Sequence, residues 1–153
     1  ILAKSKDPST QVGARLVSVD GAPISTGFNG PHRLIDDNDV DWTRPNKYRF
    51  VIHAEINCIK YARGNTKGAT LYVTAPPCPP CMAEIVEAGI SRVVYFSPPK
   101  GRDGSSMTKN EADWLMTRRI AKRGDVTLEE FSGDLTWMIS HLENLKNLGI
   151  FDK

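Results

Sequence analysis

The sequence predicts an α/β fold: a single three-layer α/β/α domain, residues 1–153, with a central mixed five-stranded sheet and helices on both faces. Two observations predict it. Short runs rich in β-branched and aromatic residues alternate with segments of helical periodicity, in the order β-β-α-β-α-β-α-β-α. A length of 153 residues, 40% apolar and 25% charged, suits one globular core.

The elements follow in chain order. Gln11 to Val19 (QVGARLVSV) reads as a strand, Asp20-Gly21 as a hairpin turn, and Ala22 to Phe28 as the returning strand. Asn29 to Tyr48 is polar and rich in Pro and Asp, a long surface loop of the kind that usually carries function. Ile52, Ile56, Ile59 and Ala62 recur at helical spacing, and Gly64-Asn65 is the expected stop. Ala69 to Thr74 is a buried strand, Cys78 to Ala88 a helix and Arg92 to Phe96 another strand. Ser97 to Ser106 is a second long loop. Thr108 and Glu111 form a capping box for a helix reaching about Arg123, and Val126 to Phe131 supplies one more strand. Asp134 caps a final helix whose stripe Leu135, Met138, Leu142 and Leu145 suits the core or a subunit contact.

Bulk properties narrow the function. No apolar run is long enough to span a bilayer, and ILAKSKDPST does not read as a secretory signal. The start at Ile1 instead of Met is read as a trimmed N-terminal segment that includes part of a helix. A formal net charge of +2 gives no nucleic-acid surface. Three cysteines, an odd number with two closely spaced, argue against a disulfide framework and fit a reducing, cytoplasmic setting.

The chemistry concentrates in His53, Cys78 and Cys81. Cys78 and Cys81 form a C-x-x-C at a predicted helix start, where the helix dipole favours thiolates, the form that binds metal. Pro79 and Pro80 suit a first turn, whose amides lack intrahelical acceptors. His53 opens the preceding helix. One imidazole and two thiolates make a three-ligand zinc site, and the remaining Cys58, His32 and His141 offer no evident fourth ligand. Such a site leaves a position open for water, and Glu55 is the carboxylate that would shuttle its proton. Mid-helix spacing would separate His53 and Glu55 by about 200°, so both must face one cavity from a helix start. A thioredoxin-like redox motif remains the alternative for the C-x-x-C, although it leaves His53 and Glu55 unexplained. A non-catalytic zinc module is another.

His53-Ala54-Glu55 followed by Pro77-Cys78-Pro79-Pro80-Cys81 is the H-x-E…P-C-x-x-C signature of zinc deaminases. The resemblance extends to KDPSTQVGA (Lys6 to Ala14), GFNG (Gly27 to Gly30), Asp36-Asp37, Lys47-Tyr48 and HAEIN (His53 to Asn57). In order and spacing these resemble deoxycytidylate (dCMP) deaminases of the cytidine/deoxycytidylate deaminase superfamily, from about Ala3 to Phe96. The first motifs are shared with cytidine, tRNA-adenosine, guanine and riboflavin-pathway deaminases; KDPSTQVGA…GFNG narrows the resemblance.

The resemblance implies a cytidine deaminase-like fold, one catalytic Zn²⁺ on His53, Cys78 and Cys81, and Glu55 as proton shuttle. It implies that Asn29 binds the sugar and the Ala54 amide the pyrimidine O2, with Tyr95 also among the substrate-binding residues. For the 5′-phosphate it points to Lys6 and Ser9 before the first strand, and to Lys100 and Arg102 in the later loop. Pro98, Pro99 and Gly101 depart there from the acidic and aromatic residues common in the family. The implied reaction is hydrolysis of dCMP to dUMP and ammonia, in supply of the dTMP precursor. Cytidine, dCTP or tRNA adenosine are the alternative substrates. The implied partners are dCTP and dTTP as effectors and further copies of the chain, a hexamer favoured, with the Tyr61–Arg63 end of the zinc-bearing helix a subunit contact. No second, structural zinc cluster is visible.

Overall fold

A computed structural model describes residues 1, 4–96, 111–134, 136, 140, 143, 144 and 147. Strand β1 (Gly13–Val17) and strand β2 (Pro23–Phe28) form the expected hairpin. Its turn closes with the Ser18 amide on the Ala22 carbonyl at 2.8 Å, and Gly21 takes a φ of 87°. Glycine adopts that left-handed conformation without a Cβ clash.

The expected loop from Asn29 to Tyr48 holds more structure than its composition indicates. Strand β3 (Gly30–Pro31) pairs antiparallel with β4 (Val51–Ile52), and single 3₁₀ turns lie at Asp37–Asp39 and Asn46–Arg49. Ile52 therefore belongs to a strand and not to the following helix. Helix α1 (Ala54–Lys60) is shorter than expected, ending at the Tyr61 C-cap before Gly64-Asn65.

Strand β5 (Thr70–Val73), helix α2 (Pro79–Glu87), strand β6 (Arg92–Tyr95), helix α3 (Glu111–Arg123) and strand β7 (Thr127–Glu130) complete the described elements. The main sheet runs β2-β1-β5-β6-β7, mixed and five-stranded as the sequence predicts. β1 is antiparallel to both neighbours, whereas β5, β6 and β7 are mutually parallel. Right-handed crossovers between successive parallel strands stack their helices on one face. α1, α2 and α3 accordingly pack side by side.

That face is the core: Leu16, Leu71 and Val93 from the sheet meet Met82 and Ile85 of α2, all fully buried, and Ala54 and Cys58 of α1. Alternation sends Arg15, Tyr72 and Glu129 to the opposite face, where they are exposed. Helices on both faces were expected; α1, α2 and α3 occupy one. Of the helix expected after Asp134, Thr136, Ser140, Glu143, Asn144 and Asn147 are helical, while its stripe Leu135, Met138, Leu142 and Leu145 lies outside the described residues. So do Thr108 and the loop Ser97 to Ser106. Among the described residues no helix is long and apolar enough to cross a membrane.

Candidate metal centre and active site

Two helices begin at the carboxyl edge of the parallel strands and bring three soft donors together. His53 is the N-cap of α1, with extended backbone (φ −70°, ψ 154°), and Cys78 is the N-cap of α2 (φ −79°, ψ 165°). Neither makes a side-chain cap hydrogen bond. The cap conformation resolves the angular problem posed by His53 and Glu55: His53 lies outside the helix, so mid-helix spacing does not govern the pair. Pro79 and Pro80 occupy the first two helical positions, as expected.

His53 Nδ1 lies 3.4 Å from Cys78 Sγ and 3.3 Å from Cys81 Sγ, and the three donor atoms all fall within 4.8 Å of one another. An edge of a tetrahedron with zinc–sulfur and zinc–nitrogen bonds is about 3.5 Å, so spacing and donor type both fit zinc. Cys58 is not part of this group. It is fully buried on α1 and its Sγ meets Ser25 Oγ at 3.2 Å, as the reading of a core thiol requires.

The electrostatics suit metal ligation. Hydrogen bonding from the Cys81 thiol, opposed by burial and aided by His53, brings Cys78 down to about 4. Cys81 moves the other way, because it donates to Cys78 and is buried. His53 is raised by Cys78, against burial and with help from Glu55. A thiolate, a thiol and an imidazole thus share protons that a divalent cation would displace.

Glu55, only 4% exposed, lies beside this group, against Cys81. Burial raises its pKa, partly offset by its own amide and His53; its carboxylate also bonds the Cys81 thiol. Ala54, fully buried, is the first residue of α1, and its amide has no intrahelical acceptor. A close approach fixes this end of α1: a Cβ on Gly27 of β2 would stand 2.3 Å from the Ala54 carbonyl oxygen and 2.5 Å from the Cys58 nitrogen.

The other expected residues separate into two places and one gap. Asn29 is buried at the end of β2; its Oδ1 accepts from the Val12 amide at 2.7 Å and its Nδ2 donates to the Thr10 carbonyl at 2.8 Å. Ser9 donates its hydroxyl to Asp7 and accepts from Lys47 Nζ at 2.6 Å, while Lys6 is exposed. Tyr95 stacks edge-on against Trp114, centroids 5.4 Å apart, and lines a cavity of about 530 Å³ with Arg118, Lys122 and Leu128. None of the three metal-cluster residues lines it. Lys100 and Arg102 lie outside the described residues.

Sequence reasoning missed the polar knot behind Ser9. Lys47 and Asp7, each with a side chain 3% exposed, form an ion pair at 2.8 Å. Asp7 also accepts the amides of Ser9 and Thr10. Both partners stand inside quoted motifs, KDPST and Lys47-Tyr48, but nothing in a linear pattern pairs positions 40 apart.

Comparison with known proteins gives a consistent result. The family model for the cytidine and deoxycytidylate deaminase zinc-binding region matches residues 2–97. A deoxycytidylate deaminase of Mus musculus is 30% identical over 151 residues, covering 94% of this chain and 80% of that protein. An uncharacterized deaminase of Aliivibrio fischeri is 47% identical over 100 residues, 65% of each chain, and the Homo sapiens deoxycytidylate deaminase is 36% identical over 101 residues, 61% of this chain and 57% of its own. The chain thus spans under two thirds of the Aliivibrio and human proteins. Among solved structures, the dCMP deaminase of cyanophage S-TIM5 in complex with dCMP and dUMP has a TM-score of 0.59 at 23% identity, covering 84% of this chain and 85% of that one. That likeness establishes the fold.

Proposed function

The chain belongs to the cytidine and deoxycytidylate deaminase family, and from that premise we propose that it hydrolyses dCMP to dUMP and ammonia. The observation that carries this reading is the buried Glu55 carboxylate beside His53, Cys78 and Cys81. A structural zinc site takes four protein donors; among the described residues this group has three, with the Glu55 carboxylate beside it.

His53, Cys78 and Cys81 would hold the ion. When bound, zinc supplies a Lewis acid that acidifies water. Glu55 would take one proton from the attacking water and pass it to ring N3, then take the second from the new C4 hydroxyl and deliver it to the departing amino group. The C4–N bond breaks, a C4–O bond takes its place, and ammonia leaves. The Ala54 amide would donate to the pyrimidine O2, and Asn29, with one N–H beyond its bond to Thr10, would donate to the sugar. Tyr95, Ser9, Lys6 and Lys100 complete the proposed substrate contacts, Ser9 through the loop it braces.

Family membership also supports a homo-oligomer, a hexamer favoured, with dCTP and dTTP as effectors; Tyr61 at the end of α1 is 48% exposed, as a subunit contact requires. Three cysteines without a disulfide accord with a cytoplasmic setting. The test is ammonia release and ultraviolet loss on dCMP, cytidine, dCTP and adenosine, with zinc measured on the same sample. Turnover on dCMP supports the proposal. Bound zinc without turnover on any of the four overturns it.

A further inference from the structure

Resting on the nucleotide reading above, we propose that Arg44, docked on Thr10 at the edge of the sheet, is the cation that reads the substrate's 5′-phosphate. The location comes from β1. The Gly13 amide donates to Thr74 Oγ1 at 2.9 Å and the Thr74 amide to the Gly13 carbonyl at 3.0 Å, so the chain entering β1 lies at the edge where β5 leads to Cys78. Asn29 ties Thr10 and Val12 to the end of β2. The Phe28 carbonyl there accepts from Asn57 of α1, the helix that carries Glu55. Thr10 therefore stands on the rim of the candidate active site.

Of the groups first expected to receive a phosphate, Ser9 is engaged elsewhere. The Ser9 and Thr10 amides and the Ser9 hydroxyl all donate to Asp7 Oδ1. The ammonium of Lys47 bonds both oxygens of Asp7 and the Ser9 hydroxyl. This buried knot is a brace and offers no donor to a ligand.

Arg44 differs. Its Nη2 reaches Thr10 Oγ1 at 3.4 Å, its side chain is exposed, and among the described residues no carboxylate pairs with it. A guanidinium has five donors in a planar fork that matches phosphate oxygens. One long bond to a hydroxyl holds the fork at the rim and leaves most of those donors available. The charge it would meet is that of a monophosphate ester.

The test is calorimetric titration of the zinc-loaded chain with dUMP and with deoxyuridine, repeated on Arg44→Gln and Arg44→Lys. Arg44 is exposed, so both variants should fold. The wild type should bind dUMP more tightly than deoxyuridine by about tenfold or more, the range of a charge-assisted hydrogen bond. Arg44→Gln should lose most of that ratio, and Arg44→Lys should keep part of it. An unchanged ratio in Arg44→Gln, or no preference in the wild type, overturns the assignment. The deaminase reading fails separately: a chain that prefers dUMP through Arg44 but deaminates no cytosine compound removes the reaction and leaves the phosphate contact standing.

Discussion

Gly27 and Ala54 approach so closely that one methyl group on the glycine would stand 2.3 Å from the other's carbonyl oxygen. The contact is backbone to backbone, between β2 and the helix that carries Glu55, so no flexible side chain can absorb it. Gly27→Ala is expected to lower stability by about 1–3 kcal/mol, read as a drop in urea midpoint. It should also cut turnover, because α1 must shift. Wild-type stability and activity in this variant would mean that the two elements have slack.

Glu55→Gln keeps the shape of the side chain and removes its capacity to carry protons. Zinc content should be unchanged while kcat falls by about 10²–10⁴, the usual contribution of general acid–base catalysis. Metal analysis and steady-state assay on one preparation decide it. Loss of zinc together with activity would assign Glu55 to metal retention instead.

Cys81→Ser removes one of three donors. A metal bound to the native state alone stabilises it by mass action, so a chelator should lower the wild-type melting temperature and leave Cys81→Ser unmoved. Equal shifts in both proteins would place the stabilising ion elsewhere.

Asp7 supplies the pH prediction. Burial pushes its carboxyl upward, but Lys47, the Ser9 and Thr10 amides and the Ser9 hydroxyl together outweigh burial and hold it below its ordinary value. A carboxylate lowered in the folded state contributes stability above its unfolded pKa of about 3.9, and that contribution fades as pH falls through the lower folded value. Unfolding free energy should therefore drop more steeply below about pH 4 in the wild type than in Asp7→Asn. Near neutral pH, Asp7→Asn leaves the Lys47 charge buried without its counterion, at a cost of about 3–5 kcal/mol. Denaturant curves at several pH values check both statements; parallel pH profiles would contradict the first.

Much of the site was legible because its residue types are chemically rare. One histidine and two cysteines at helix starts stand out in a chain with few of either, and the structure brings His53, Cys78 and Cys81 within reach of one ion. The strands of the main sheet were legible from β-branched runs such as RVVYF. The small β3–β4 pair was not, because two residues carry no periodicity. Ile52 fell in step with a helical stripe by coincidence, and the extended backbone at His53 cut it off. The Asp7–Lys47 pair is set by tertiary folding, which no local pattern encodes.

His53 and Cys78 begin their helices without the side-chain bond that Ser, Thr, Asp or Asn would make, a substitution that typically costs about 1 kcal/mol per helix end. Each helix thus gives up part of its own ordering to present a donor. Stripping the ion should then loosen the opening turns of α1 and α2 together, and hydrogen exchange should report this as faster amide turnover there than in the fully buried Leu71 and Val93 of the sheet. Two separate stretches of backbone would behave as one cooperative unit whose rigidity tracks the supply of zinc.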